Sequence, residues 1–353
     1  MKYLKNVKLY GELTDIGIKN GKFVSIGKTD ADGYDCSGLK IYPGLIDIHS
    51  HGCIGYDTMD EENHLEEMSE YQLKCGTTTW YPTTMTMSRE DIIRATSRDI
   101  ESISGATIAG FHMEGPFINP KYKGAMNENF IFRPDMTLFE ACSNVKMVTI
   151  APELPGSKSF IENCPAVISL GHTDSDYDTA MGAFKTGAKC LTHAFNAMPG
   201  IHHRNPGPLM AAMDSEDVYV QLIADGKHIH PAVIRMYVKA MGEDRVILIS
   251  DCMCATGLSD GEYYFGGQKM IVKNATALTE NGNLAGSTVT LFECVKIAIS
   301  MGINEESAVK MATANPARLM GLNKGKIEIG YDADFILVDD DFNLVKVAKN
   351  GIL

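Results

Sequence analysis

Between residues 45 and 250 the chain returns eight times to a short apolar run rich in Val, Ile and Thr, usually followed by a stretch with helical periodicity. The runs are Leu45–His49, Thr77–Thr83, Thr107–Phe111, Met147–Ala151, Val167–Gly171, Lys189–His193, Tyr219–Ala224 and Val246–Ser250. Strands that alternate with helices run parallel, and continuous apolarity suits strands covered on both faces. Eight such units predict an α/β fold of the (β/α)₈ TIM-barrel type. Helix signals fall between the runs. Ser88 with Asp91 three residues on predicts a capping box. Asp174 is expected to open a helix that Gly187 ends, and Pro231 and Gly242 bracket another.

The two ends read differently. Residues 4–28 alternate in facing, Phe23 and Ser25 opposite Val24 and Ile26, with Asn20-Gly21 as a tight hairpin turn. The closing stretch GKIEIGYDADFILVDDDFNLVKVAKNGIL has the same short-strand pattern. The termini, 1–43 and 324–353, are therefore expected to form one small β-sandwich domain beside a barrel domain spanning 44–323.

Composition narrows the function classes. No apolar run is long enough to span a bilayer, and the N-terminus lacks the apolar block of a secretory signal, so a cytoplasmic location is expected. The nine cysteines are odd in number and show no CxxC spacing, which speaks against a disulfide framework or a zinc clip. Cys252 and Cys254 read as small buried thiols. A formal charge of −13 argues against nucleic acid or an anionic membrane as the main partner. An anionic substrate would need a local basic pocket.

The histidines and acids gather where the predicted strands end, the rim at which a barrel of this type carries its site. Strand one runs into His49-Ser50-His51, strand three into His112-Met113-Glu114, strand five into His172 and strand six into His193. Strand seven runs into Asp225 and His228, and strand eight into Asp251. Residues two apart on a strand share a face, so His49 and His51 can grip one cation with Asp251 beside them. Glu114, His172 and His193 can hold a second, with Glu114 bridging. Imidazole plus carboxylate suits zinc or iron better than Mg²⁺. A lone HxH pair is ordinarily two structural histidines. Five donors and an extra acid at successive strand ends are not explained that way. Such a site makes hydroxide available at neutral pH. Asp251 is the candidate proton shuttle, and His228 the candidate hydrogen-bond partner of the substrate or its oxyanion.

These residues sit in segments that resemble the N-acetylglucosamine-6-phosphate deacetylase family of the amidohydrolase superfamily. The matching segments are PGLIDIHSHG (43–52), GFHMEGPF (110–117), KGAMN (123–127), GHT (171–173), THAFNAM (192–198), DGKH (225–228), SDCMCATG (250–257), LAGS (284–287) and NPARLMGLNKGKIEIGYDADFILVD (315–339). The resemblance spans nearly the whole chain in order; HMEGPF, THAFNAM and SDCMCATG carry its specificity. It implies hydrolysis of the acetamide of N-acetylglucosamine 6-phosphate to glucosamine 6-phosphate and acetate, with another N-acetylated sugar phosphate as the alternative. It further implies divalent-metal ligands at Glu114, His172 and His193, optional ones at His49 and His51, and Asp251 as general base and acid beside the metal. Substrate-binding positions are implied at Ala125, Met126, Asn196, Ala197, Arg204, Asp225, His228, Leu284, Ala285 and Gly286. An arginine at the position of Arg204 implies a phosphate contact reaching across a homodimer interface. Arg204 would also supply the basic pocket that the net charge demands, its fork suiting phosphate. Lys121, Lys123 and Lys227 read as solvated surface. One departure stands out: Met126 occupies a position where some members carry histidine, and methionine donates no hydrogen bond.

Three other readings compete. The galactosamine epimer differs from the glucosamine one by a single hydroxyl. Dihydroorotases and D-aminoacylases use the same scaffold, many with a carboxylated lysine; no lysine ends MVTIAPE here, and Glu114 takes the bridging place. A non-catalytic metal-binding barrel would have no use for a proton shuttle such as Asp251.

Overall fold

The computed structural model covers residues 1–353. Its centre is a ring of eight parallel strands in sequence order: Leu45–Ser50, Thr77–Thr84, Phe111–Glu114, Val145–Ile150, Val167–Leu170, Cys190–Leu191, Tyr219–Ile223 and Val246–Ile249. A helix follows each strand, as in Tyr177–Thr186 after the fifth and Pro231–Met241 after the seventh. Strands one and eight meet only at the upper rim, where Asp251 N donates to His49 O at 2.9 Å and His51 N to Cys252 O at 2.8 Å. At the lower end Ile46 N donates to Ala312 O, and Asn315 donates its amide to Val246 O at 2.6 Å. The helix Ala314–Met320 thus fills the gap and places Ala317 in the barrel's inner core with Ile46, Ile48, Tyr81, Met147, Ile223, Ile247 and Ile249. A larger core of 66 residues lies mostly between strands and surrounding helices, so both strand faces are dry.

The third run departs from expectation. Thr107–Ile108 forms only two pairs with strand two, and the strand proper begins at Phe111. Between them Gly110 has φ +144 and passes 2.8 Å from Asn144 O at the place where a Cβ would stand, so the chain sidesteps there. The shift carries Glu114 to the strand's end. The sixth strand is shorter than its run. Ser88 caps its helix by accepting Asp91 N–H, but the Asp91 carboxylate meets the Ser88 hydroxyl rather than its N–H, so the reciprocal arm is missing. The full capping box belongs to Thr290 and Glu293. The helix expected from Asp174 is capped by Asp176 instead.

Both termini contribute to one seven-stranded mixed sheet, in which Phe335–Val338 pairs with Lys40–Pro43. Its core of twelve residues joins Leu4, Val7, Ile16 and Phe23 to Phe335, Leu337 and Ala348. Asn20 and Gly21, at φ +52 and +71, make the expected hairpin turn. A three-stranded antiparallel sheet, Gly261–Phe265, Gln268–Lys273 and Thr276–Thr279, is inserted after barrel strand eight. Its sequence signal is two-residue alternation broken by Gly266-Gly267 and Asn274-Ala275. No helix is long and apolar enough to cross a membrane.

Candidate active site

At the upper rim the strand ends deliver six side chains to one point. His49 and His51 stand with Nε2 atoms 3.2 Å apart. Glu114 reaches between the strands, its Oε1 lying 3.3 Å from His49, 3.2 Å from His172 and 3.0 Å from His193, and its Oε2 3.2 Å from His51. Asp251 Oδ1 lies 3.3 Å from His51 and 3.5 Å from His49. All six are buried. Two donor sets share Glu114: His49–His51–Glu114 and Glu114–His172–His193. His172, His193 and Asp251 have φ of +49, +26 and +48, a left-handed backbone that turns each side chain into the site at a cost of about 1–3 kcal/mol apiece.

The outer nitrogens reveal what the inner ones are for. His49 Nδ1 is 3.0 Å from Gln221 Oε1, His51 Nδ1 3.2 Å from Thr83 O, and His172 Nδ1 2.8 Å from Tyr122 O. Each partner only accepts, so each Nδ1 carries a proton, and Nε2 is the nitrogen left facing inward, a ligand for a cation that displaces any proton there. Lone pairs and carboxylate oxygens converging within about 3 Å repel one another unless positive charge sits among them. Proton affinities give the same answer. Burial alone would depress His49 and His51, but Glu114 and Asp251 overcome it and raise both. Burial likewise opposes ionisation of Glu114 and Asp251, yet the surrounding imidazoles hold both carboxyls below their ordinary range. The residues present therefore fit a divalent cation in each donor set.

A model of the amidohydrolase family matches residues 41–353. The chain belongs to the amidohydrolase family. It is 36% identical to an N-acetylglucosamine-6-phosphate deacetylase of Bacillus subtilis, over 88% of this chain and 83% of that one. It is 30% identical to an N-acetylgalactosamine-6-phosphate deacetylase of Escherichia coli, over 94% and 90%. Among solved structures it resembles a variant N-acetyl-D-glucosamine-6-phosphate deacetylase from Mycobacterium smegmatis in complex with N-acetyl-D-glucosamine 6-phosphate. There the TM-score is 0.93 and the identity 30%, covering 99% of this chain and 98% of that one.

In this amidohydrolase a cavity of about 340 Å³ opens over the donor sets, near the lower end for small-molecule sites. Its walls include Ala125, Met126, Asn196, Ala197, His228, Leu284 and Gly286, all expected from sequence. At Gly286, φ +62, a Cβ would stand 2.9 Å from Asp251 O, so only glycine lets the loop run this close to the site. Met126 is buried, its sulfur accepting Thr86 N–H at 3.3 Å. Asp225 lies behind His228 rather than in the wall, and Ala285 is buried between its wall neighbours. Arg204 is exposed on the segment before the helix Gly207–Asp214 and does not line this chain's own cavity. Of the lysines only Lys121 reaches the wall, and Asp174 pairs with it at 2.8 Å. Cys252 and Cys254 are buried, and all nine cysteines are free thiols.

Sequence reasoning missed Met85, Tyr122, Gly124, Phe265 and Asn283 in the wall. Phe265 comes from the inserted sheet and meets the His51 ring edge-on at 5.1 Å. Gln268, three residues further, donates to Ala125 O at 2.5 Å. Below the donor sets His112 bridges Ile48 O and Thr149 Oγ1, and burial drives its proton affinity far down. It stays neutral and structural.

Proposed function

We propose that this amidohydrolase hydrolyses the acetamide of N-acetyl-D-glucosamine 6-phosphate to D-glucosamine 6-phosphate and acetate. The observation that carries the reading is the Asp251 carboxylate, held 3.3 Å from His51 Nε2 in the wall of the cavity that also presents His228. His49, His51 and Glu114 would hold one divalent cation, and Glu114, His172 and His193 another; zinc or iron suits these ligands. Such an ion would supply water of lowered pKa and polarisation of the acetamide carbonyl. Asp251 accepts the proton of the attacking water. As the C–N bond breaks it passes that proton to the sugar nitrogen, which leaves as a neutral amine. His228, held by Asp225, donates from Nε2 to the oxygen on which negative charge grows. Ala125, Met126, Asn196, Ala197 and the 284–286 loop enclose the sugar.

The one lysine in the cavity wall, Lys121, is paired with Asp174, so the phosphate calls for a further cation. We assign it to Arg204 of a second copy, which makes the working unit a homodimer. The termini, 1–43 and 324–353, form the small domain and 44–323 the catalytic one. Nine free thiols suit a reducing cytoplasm.

The deciding experiment is acetate release by the zinc- or iron-reconstituted protein. Substrates are N-acetylglucosamine 6-phosphate, its galactosamine epimer and unphosphorylated N-acetylglucosamine. Turnover led by the first supports the proposal; turnover led by the epimer moves the assignment to the activity named for the Escherichia coli relative. No turnover of any, with metal bound, leaves a binding protein.

A further inference from the structure

We infer that Gln221 is a positioning residue that ties the two cation sites together. It sits mid-way along barrel strand seven, fully buried. Its neighbours Val220 and Leu222 pack into the outer core, so Gln221 faces the barrel interior. There its Oε1 meets His49 Nδ1 at 3.0 Å and the main-chain N–H of His193 at 3.3 Å. One oxygen with two lone pairs thus serves two donors, one from each cation site. The His193 N–H can only donate, so it fixes the amide oxygen on that side, and Nε2 is left facing the sulfur of Met147 at 3.8 Å.

Each bond has a separate consequence. Accepting from Nδ1 forces the His49 proton outward and leaves Nε2 bare toward Glu114 and Asp251. Without that acceptor a neutral ring is free to carry its proton on Nε2, which cannot bind a cation. Accepting from His193 N steadies the peptide leading into the left-handed turn, φ +26, that aims His193 at Glu114. Glu114 joins the two sites from within; Gln221 joins them from behind. The ring of His193 has no such support of its own, because its Nδ1 is buried without a partner. Its orientation therefore leans on its main chain.

The inference rests on the two-cation reading, and its test separates the two. Metal-free protein is titrated with Zn²⁺ by calorimetry and with Co²⁺ by visible absorption, for the unsubstituted chain, Gln221→Leu and Gln221→Glu. Leucine fills the volume and removes the acceptor; glutamate keeps an acceptor oxygen. The expected result is that Gln221→Leu weakens the ion held by His49 and His51 by about 10- to 100-fold, the usual effect of losing an outer partner of a ligating histidine. The Co²⁺ spectrum changes, the metal-free Gln221→Leu protein melts lower because two buried N–H groups lose their acceptor, and Gln221→Glu restores binding. Two ions bound by Gln221→Leu with unchanged affinity overturn the inference. So does equal loss by both variants together with an equally lowered melting temperature of their metal-free forms, which marks a packing role. If the unsubstituted chain binds no cation, the metal reading falls and the role of Gln221 falls with it.

Discussion

His228 Nδ1 stands 2.7 Å from Asp225 Oδ2, and the other oxygen of the same carboxylate receives the main-chain N–H groups of Lys227 and His228 at 2.9 Å each. One acid thus fixes both the ring and the turn that carries it. Burial alone would make His228 less basic. The bond and charge of Asp225, with a further contribution from Asp251, reverse that and raise its pKa. The Asp225 carboxyl, buried as well, is lowered by the same pairing.

A pH prediction follows for Asp225→Asn. The raised His228 pKa keeps Nε2–H available above the ordinary histidine value, so its loss moves the alkaline limb of the kcat/KM profile to lower pH. The pair's effect on stability has two edges. The share from Asp225 is present above its unfolded value of about 3.9 and lost as pH falls through the lowered one. The share from His228 is present below about 6.5 and lost as pH rises through the raised one. The difference in melting temperature between parent and variant is therefore greatest between those limits. A proton NMR titration of His228 checks the assignment, and an unmoved alkaline limb contradicts it.

Asp251→Asn removes the proposed proton shuttle with little change in shape. We expect kcat to fall about 10²- to 10⁴-fold, the range for loss of a general acid–base group. KM and the cooperative melt stay near those of the parent. Acetate release and circular dichroism measure both. A variant with parental kcat ends the case for this residue.

Chelation is expected to abolish turnover and to lower the melting temperature, because binding restricted to the folded state stabilises it by about 2.7 kcal/mol at a hundredfold excess of ion over Kd. Zinc or iron added back restores both. Glu114→Gln, which weakens the shared bridge, should lose ions at both donor sets in elemental analysis.

For Arg204→Ala the expectation is selective. A charge-assisted bond of about 1.5–3 kcal/mol to phosphate corresponds to roughly a 10- to 100-fold rise in KM for the phosphorylated sugar. Metal content and any slow turnover of the unphosphorylated sugar are unchanged. Mixing Arg204→Ala with Asp251→Asn should regain activity through hybrid dimers if the arginine acts across the interface; absence of regain at matched concentrations argues for action within one chain.

Asn315→Ala tests the barrel's closure. Its amide donates to Glu243 O at 2.7 Å and Val246 O at 2.6 Å, both at the end where strands one and eight do not pair. Leaving a buried carbonyl without a donor costs about 1–3 kcal/mol. The urea midpoint should fall while the KM of the folded enzyme holds.

The sequence by itself determined the ring and the contents of its rim. Eight apolar strands that alternate with helices favour a parallel barrel, and the histidines and acids follow those runs directly in sequence even where the strand itself is shifted or shorter. His49, His51, Glu114, His172, His193 and Asp251 could therefore be named from spacing alone. The turn at Asn20-Gly21 and the helix bracketed by Pro231 and Gly242 were legible for the same reason: their chemistry acts within a few residues.

Only the tertiary structure decided what stands behind those residues. Gln221 reads as one polar residue in an apolar strand until the barrel closes and brings it to His49, 172 positions away. Phe265 carries no local mark of a site residue, and only the folding of the inserted sheet brings its ring to His51. The start of strand three depends on how closely Gly110 passes Asn144, which no local pattern records. Local propensity and periodicity are properties of neighbours along the chain. Tautomers, proton affinities and cavity walls belong to neighbours in space, and those exist only once the chain has packed.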